Sequence, residues 1–147
     1  MEDYYLITAP LVIAWSAVCA AWDLRTGRVP NWLSLPPLAL GLACQFLIRG
    51  RVHVVEYLVC AGLLIAGWAA SAFGESFKIY GGGDLKYLLS LFAFYPDLIF
   101  LVLLMLAHLP IYLVARRRQG TGNPAVAWVP VYAALWLAYS GLMLPLI

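Results

Sequence analysis

The sequence predicts an all-α integral membrane protein: a bundle of about six transmembrane helices, the fourth of them short, with both termini outside. Three observations predict it. Of 147 residues, 65% are hydrophobic and only 11% charged, against about 25% charged in an ordinary soluble domain. The uncharged runs Tyr4–Trp22 (19 residues), Val29–Ile48 (20), Tyr57–Gly74 (18), Leu98–Ala115 (18) and Gln119–Ile147 (29) each reach the roughly 18–20 residues that cross a bilayer. The Lys and Arg residues are also divided unevenly among the loops. Spans of about 20 residues consume nearly the whole chain, so residues 1–147 are expected to form a single membrane-embedded domain with short connections.

The first helix is expected from about Tyr4 to Leu24. It does not resemble a cleaved signal peptide, because it opens on Glu2 and Asp3 and basic residues follow it at Arg25 and Arg28. Gly27 and Pro30 punctuate the loop that ends it. The second helix, about Asn31 to Ile48, contains Pro36-Pro37, which remove backbone donors and are expected to kink it or delay its regular part. The third, about Val54 to Phe73, carries Gly62 and Gly67, small residues that let helices approach closely in lipid. A Gly-rich loop from Gly74 to Gly83 follows. Tyr95-Pro96-Asp97 interrupts the next apolar stretch as a turn. It separates a short fourth helix, Leu85–Phe94, from a fifth, Asp97–Ala115. The fourth would rise only about 15 Å against a hydrocarbon core of about 30 Å, and a half-depth helix lines a cavity. Arg116-Arg117-Arg118 and Gly120–Pro124 form the last loop, and Ala125–Leu146 the sixth helix.

With six crossings, one side of the membrane holds Arg25, Arg28, Lys78, Lys86, Arg116, Arg117 and Arg118, while the other holds Arg49 and Arg51. The positive-inside rule makes the first side cytoplasmic. The Asp23 loop, the Gly-rich loop and the triple-Arg loop then share that face, where the Arg triplet serves as a topology anchor against anionic headgroups. The net charge of +2 gives no reason to expect nucleic acid.

Cys19, Cys44 and Cys60 lie in apolar runs without C-x-x-C spacing, so neither a zinc site nor a disulfide framework is expected. His53 and Glu56, three residues apart, could share a helix face but lack the second pair that a metal site needs. His108 reads as a polar helix-packing residue. No P-loop pattern is present. Tryptophans 15, 22, 32, 68, 128 and 136 read as an aromatic belt or lipid-facing packing.

Asp23 and Asp84 are the residues that need explaining. Asp23 closes an apolar helix, where the negative end of the helix dipole disfavours an acid. Asp84 follows three glycines at a helix start, where Asp is a favoured N-cap. The topology puts both at the same membrane face, and ionisable groups there are functional candidates. Two carboxylates close together in a low-dielectric cleft share a proton. That arrangement is what aspartic proteolysis requires, since the ionised partner takes a proton from water while the protonated one polarises the scissile carbonyl.

The stretch Asp23-Leu-Arg25-Thr-Gly-Arg-Val29-Pro30-Asn31 resembles the D-x-R-x-x-x-I-P-N motif of the type IV prepilin peptidases, and Gly81-Gly-Gly83-Asp84-Leu-Lys86 resembles their G-x-G-D-x-K. Val29 in place of Ile is the one departure. The resemblance implies a membrane aspartic endopeptidase with Asp23 and Asp84 as the catalytic pair. It assigns supporting roles to Arg25, Pro30, Asn31, Gly81, Gly83 and Lys86, and needs no cofactor or metal. It further implies a bacterial inner-membrane protein of pilus biogenesis whose partners are the bilayer and a prepilin bearing a basic leader and an apolar helix. Larger members carry two C-x-x-C pairs and also N-methylate the new terminus. This chain is similar instead to the short, peptidase-only members that process Flp (Tad) pilins, for which methyl transfer is not expected. The three-glycine loop would let an extended peptide approach its backbone.

Two rival readings are a broader GxGD-type protease cutting within transmembrane helices, and a small proton-coupled transporter using the two aspartates as a relay. The charge asymmetry makes a direct prediction about orientation. In a cysteine-free background, cysteines at positions 27 and 120 should be shielded from an impermeant thiol reagent in intact cells, and one at position 50 labelled. Labelling in the opposite sense would place both aspartates outside.

Overall fold

The computed structural model describes residues 2–49, 51–72, 81–119 and 127–143. Among them are six helices and no strand. They are α1 (Glu2–Thr26), α2 (Asn31–Cys44), α3 (Arg51–Ala72), α4 (Gly82–Phe94), α5 (Leu98–Gln119) and α6 (Trp128–Met143), with one π-helical turn, Gln45–Arg49, continuing α2. Lys78, the first part of the Gly-rich loop, Gly120–Pro124 and the ends expected for the sixth helix lie outside the described residues.

Three segments are long and apolar enough to cross a membrane: Ile7–Thr26, Asn31–Ile48 and Val52–Ala70. The apolar parts of α5 and α6, Leu98–Val114 and Trp128–Leu142, are shorter. Large apolar side chains such as Ile7, Leu11, Leu40, Leu58, Val102 and Leu106 face outward, while Thr8, Ser16, Ser34, Gln45, Ser90 and His108 are buried. Apolar outside and polar inside is the distribution expected of a bundle whose solvent is lipid.

The short helix α4 is the axis of the bundle. At 13 residues it rises about 20 Å, and its second half, including Tyr87, Leu88, Leu91, Phe92 and Phe94, is buried. It packs closely on α2, and the contact is made by Gly41. A Cβ there would lie 2.8 Å from both the carbonyl carbon and the Cβ of Ala93. The close approach expected at Gly62 is not found, since that glycine faces open space.

The end of α4 leaves carbonyls that have no partner within the helix and, buried here, must be satisfied by other parts of the protein. The Gln45 side-chain amide donates to Ala93 O and Phe94 O, each at 3.0 Å, and the Tyr4 hydroxyl donates to Phe94 O at 3.0 Å. Asp97 then caps α5, its Oδ1 accepting the Ile99 and Phe100 N–H groups.

Pro36-Pro37 does not delay α2, because the helix starts at Asn31 and runs through both. Pro37 has no N–H for the Leu33 carbonyl. Trp15 Nε1 donates to that carbonyl instead, at 2.8 Å, so the vacated acceptor binds α1 to α2. The irregularity falls later, at the π-helical turn where Gln45 points inward.

These contacts give a pair of expectations for thermal unfolding in detergent. Gly41→Ala should destabilise the protein by about 1–3 kcal/mol, because the added methyl meets backbone atoms. Gly62→Ala should be neutral or slightly stabilising, since it meets nothing and improves helix propensity. Equal melting temperatures for the two variants would contradict the α2–α4 contact.

Candidate active site

The two motifs meet at one end of the bundle. Asp23 sits in the last turn of α1 and is only 5% exposed. Gly27, at φ +64°, turns the chain out of the helix, its N–H bonding the Asp23 carbonyl at 2.7 Å. Only glycine adopts this φ without strain. The chain then runs through buried Val29 to extended Pro30, the residue before α2. Asn31 opens α2, and Arg25 is exposed at the end of α1.

Asp84 does not cap its helix as the sequence suggests. Gly81, extended at φ −77° and ψ 167°, holds the cap position. Asp84 lies three residues on, in the first turn, and its Oδ2 accepts the Gly81 N–H at 2.8 Å. Tucked back in this way, the carboxyl is half-buried. Burial above all pushes its pKa up, the Gly81 N–H pulls it down and the nearby charge of Asp23 pushes it up, leaving it at about 6.

Sixty-one positions apart in sequence, the two motifs are joined by direct contacts. Lys86 Nζ donates to Asn31 Oδ1 at 2.6 Å, so the lysine of the second motif grips the asparagine of the first. The Ser90 hydroxyl, one turn further along α4, donates to Ser34 O at 2.8 Å. A Cβ on Gly83 would come within 3.1 Å of the Val29 backbone nitrogen. Gly83 is therefore needed for close packing of the motifs on each other. Among the described residues Gly27 is the only glycine at positive φ.

One partner was not legible in the sequence. Asp23 Oδ2 accepts the backbone N–H of Val129 at 3.3 Å, in the first turn of α6. An acid at the negative end of α1 is thus held at the positive end of another helix, which resolves the conflict noted above. Pro130, in that same first turn, is a start signal, but the long uncharged run hides the boundary and puts the expected start three residues early. Beneath the pair, the Tyr87 hydroxyl donates to buried Ser16 Oγ at 3.0 Å, and Trp15 stacks on the Tyr87 ring. His53 and Glu56 do share a face of α3, with Nδ1 and Oε2 3.5 Å apart. Among the described residues no three His, Cys, Asp or Glu side chains are grouped to hold a metal ion.

The position of Asp84 implies a pH-dependent stability. Its folded pKa lies above the ordinary carboxylate value, so the unfolded chain loses this proton first as pH rises. Stability contributed by the neutral carboxyl is complete below the ordinary value and is lost as pH climbs to about 6. Asp84→Asn, which keeps an acceptor for Gly81 but carries no charge, should match the wild type in melting temperature near pH 4 and exceed it at pH 8. A gap independent of pH would contradict the burial of this carboxyl.

The sequence model of the type IV leader peptidase family matches residues 11–116, more than two thirds of the chain and a stretch containing both motifs. No curated protein and no solved structure matches it. With the two motifs folded onto each other at one end of an all-helical bundle, the chain belongs to the type IV leader peptidase family.

Proposed function

We propose that this protein is a membrane aspartic endopeptidase that removes the basic leader from type IV-like prepilins, of the Flp class, at the cytoplasmic face of the bacterial inner membrane. The observation that carries the reading is the pair itself. Two aspartates of different helices are withdrawn from water at one end of an apolar bundle, and their environments differ. Asp23 accepts its N–H from the start of another helix, whereas Asp84 accepts one from the start of its own. Burial and the neighbouring charge hold the Asp84 proton until about pH 6. We assign Asp23 as the base of the pair and Asp84 as its acid.

Asp23, ionised, takes a proton from water as the oxygen adds to the scissile carbonyl carbon. Asp84 delivers its proton to the carbonyl oxygen, giving a neutral gem-diol. Asp23 then passes its proton to the leaving nitrogen, the C–N bond breaks, and a diol hydroxyl returns a proton to Asp84 as the new carboxyl forms. The step consumes one water and regenerates the pair. Pro30, Asn31, Gly81, Gly83 and Lys86 support it by holding the motifs together, and Arg25 lies exposed beside Asp23 for substrate or headgroup contact. Leader cleavage is the activity we assign to these residues.

Asn is nearly isosteric with Asp but cannot carry the proton. Asp23→Asn and Asp84→Asn should each abolish prepilin cleavage while the protein accumulates normally, and the double variant should be no worse than either alone. Asp97→Asn, at the opposite end of the bundle, should cleave normally. In the wild type kcat/KM should fall as pH rises past about 6 and fall again at acid pH, both limits belonging to the pair. Cleavage of a generic membrane helix as readily as a prepilin would favour the broader protease reading. Near-normal activity of either single Asn variant would end the aspartic mechanism.

A further inference from the structure

The N–H that reaches Asp23 comes from a helix beyond the residues 11–116 that the family matches. A buried contact between α5 and α6 holds it there. His108, 6% exposed, lies flat on Trp128, with ring centroids 4.0 Å apart and 18° between the planes. Its Nδ1 shares a hydrogen bond of 3.1 Å with the Tyr132 hydroxyl. Trp128 and Tyr132 are stacked in turn at 5.7 Å. Trp128 is the residue before Val129 and Tyr132 lies one turn after it, so the imidazole grips the first turn of α6 on both sides of the donating amide. An imidazole in the apolar stretch of α5 is costly to bury, and filling space would need only a leucine. What the imidazole adds is direction: a flat face for the indole and a nitrogen for the phenol.

We propose that the first turn of α6 is part of the catalytic machinery, and that His108 is the positioning residue that fixes its Val129 N–H on Asp23. The inference rests on the aspartic peptidase reading above. The bond to Asp23 is 3.3 Å long, near the outer limit of hydrogen-bond geometry. A drift of α6 by about 1 Å therefore leaves the carboxylate facing only the negative end of α1. His108 acts through Trp128 and Tyr132, so its loss should slow the chemical step and leave substrate binding alone.

Steady-state cleavage of a prepilin peptide by the full-length protein in detergent tests this. His108→Leu and Trp128→Leu should lower kcat by about 10- to 100-fold with KM within about twofold of wild type. Trp128→Phe, which keeps a ring for the imidazole to lie on, should recover most of the loss. Should the leucine variants fail to accumulate, Tyr132→Phe decides: removing one hydroxyl should cost about fivefold in kcat, the worth of one hydrogen bond. Unchanged kcat in the variants that accumulate, or a loss carried by KM, overturns the proposal. Asp23→Asn and Asp84→Asn run alongside distinguish the two failures. Active aspartate variants would sink the peptidase reading itself, whereas inactive ones beside fully active His108 and Trp128 variants would sink only the role given to α6.

Discussion

A carboxylate withdrawn into an apolar bundle must find backbone N–H groups, and the rest of this architecture follows from meeting that need twice. Asp84 meets it locally, in the first turn of its own helix, by folding back onto the Gly81 N–H. Asp23 cannot, because it stands at the wrong end of α1, where carbonyls and not N–H groups are exposed. Its donor has to come from the start of another helix, and α6 supplies it through Val129. The two aspartates thus face helix N-termini by different routes, and the routes have different strengths. One is a 2.8 Å bond within a single turn, the other a 3.3 Å bond across 106 positions.

Holding Asp84 at this depth requires α4 to stop inside the bundle, and a helix that stops there must have its last carbonyls satisfied by protein. Gln45 does this from a π-helical turn. Gln45 faces the interior because it lies one turn after Gly41, on the side of α2 that packs on α4, while Phe46 and Leu47 face outward. Gly41, one turn earlier, removes the side chain that would keep α2 and α4 apart. The close approach meets Ala93, and the amide bonds go to Ala93 and its neighbour Phe94. The C-terminal end of α4 is therefore clamped on its α2 side, and Tyr4 clamps it on its α1 side.

The motif spacing, the short fourth helix and the polar turn at Tyr95-Pro96-Asp97 are legible in the sequence because each depends on local chemistry: charge, length, or a residue that cannot continue a helix. Asp97 as the start of the fifth helix is one position from its observed role as the cap. Contacts between helices are not legible in the same way. Gly62 and Gly41 look alike in a hydropathy trace, and only Gly41 faces a neighbour. The three glycines before Asp84 read as one flexible segment, yet they serve different needs. Gly81 is the N-cap, its N–H spent on Asp84, Gly82 meets nothing within 4 Å, and Gly83 lies against the Val29 backbone. Pro36-Pro37 misleads because the lost donor is judged within its own helix, whereas the freed carbonyl is taken up by Trp15 of another.

The two ends of the bundle are built differently, and the difference suits the proposed cleavage site, which would have to admit an outside chain. At the end away from the aspartates, Thr8 and Tyr95 share a 2.6 Å hydrogen bond, Tyr139 donates to Asp97 at 2.6 Å, and Tyr95 lies stacked between Tyr5 and Trp136. Hydrogen bonds and rings from α1, α6 and the turn after α4 lock one another there, and few of them can be released singly. At the aspartate end, among the described residues, exposed contacts stand beside the buried ones: Lys86 to Asn31, the Trp22–Trp32 edge contact, and the uncovered backbone at Gly81 and Gly82. Regions with few buried contacts and exposed hydrogen bonds open at the lowest free-energy cost. Among the described residues, the exposed Lys86–Asn31 bond and the open Gly81–Gly82 backbone are therefore the parts of that end that give way most easily.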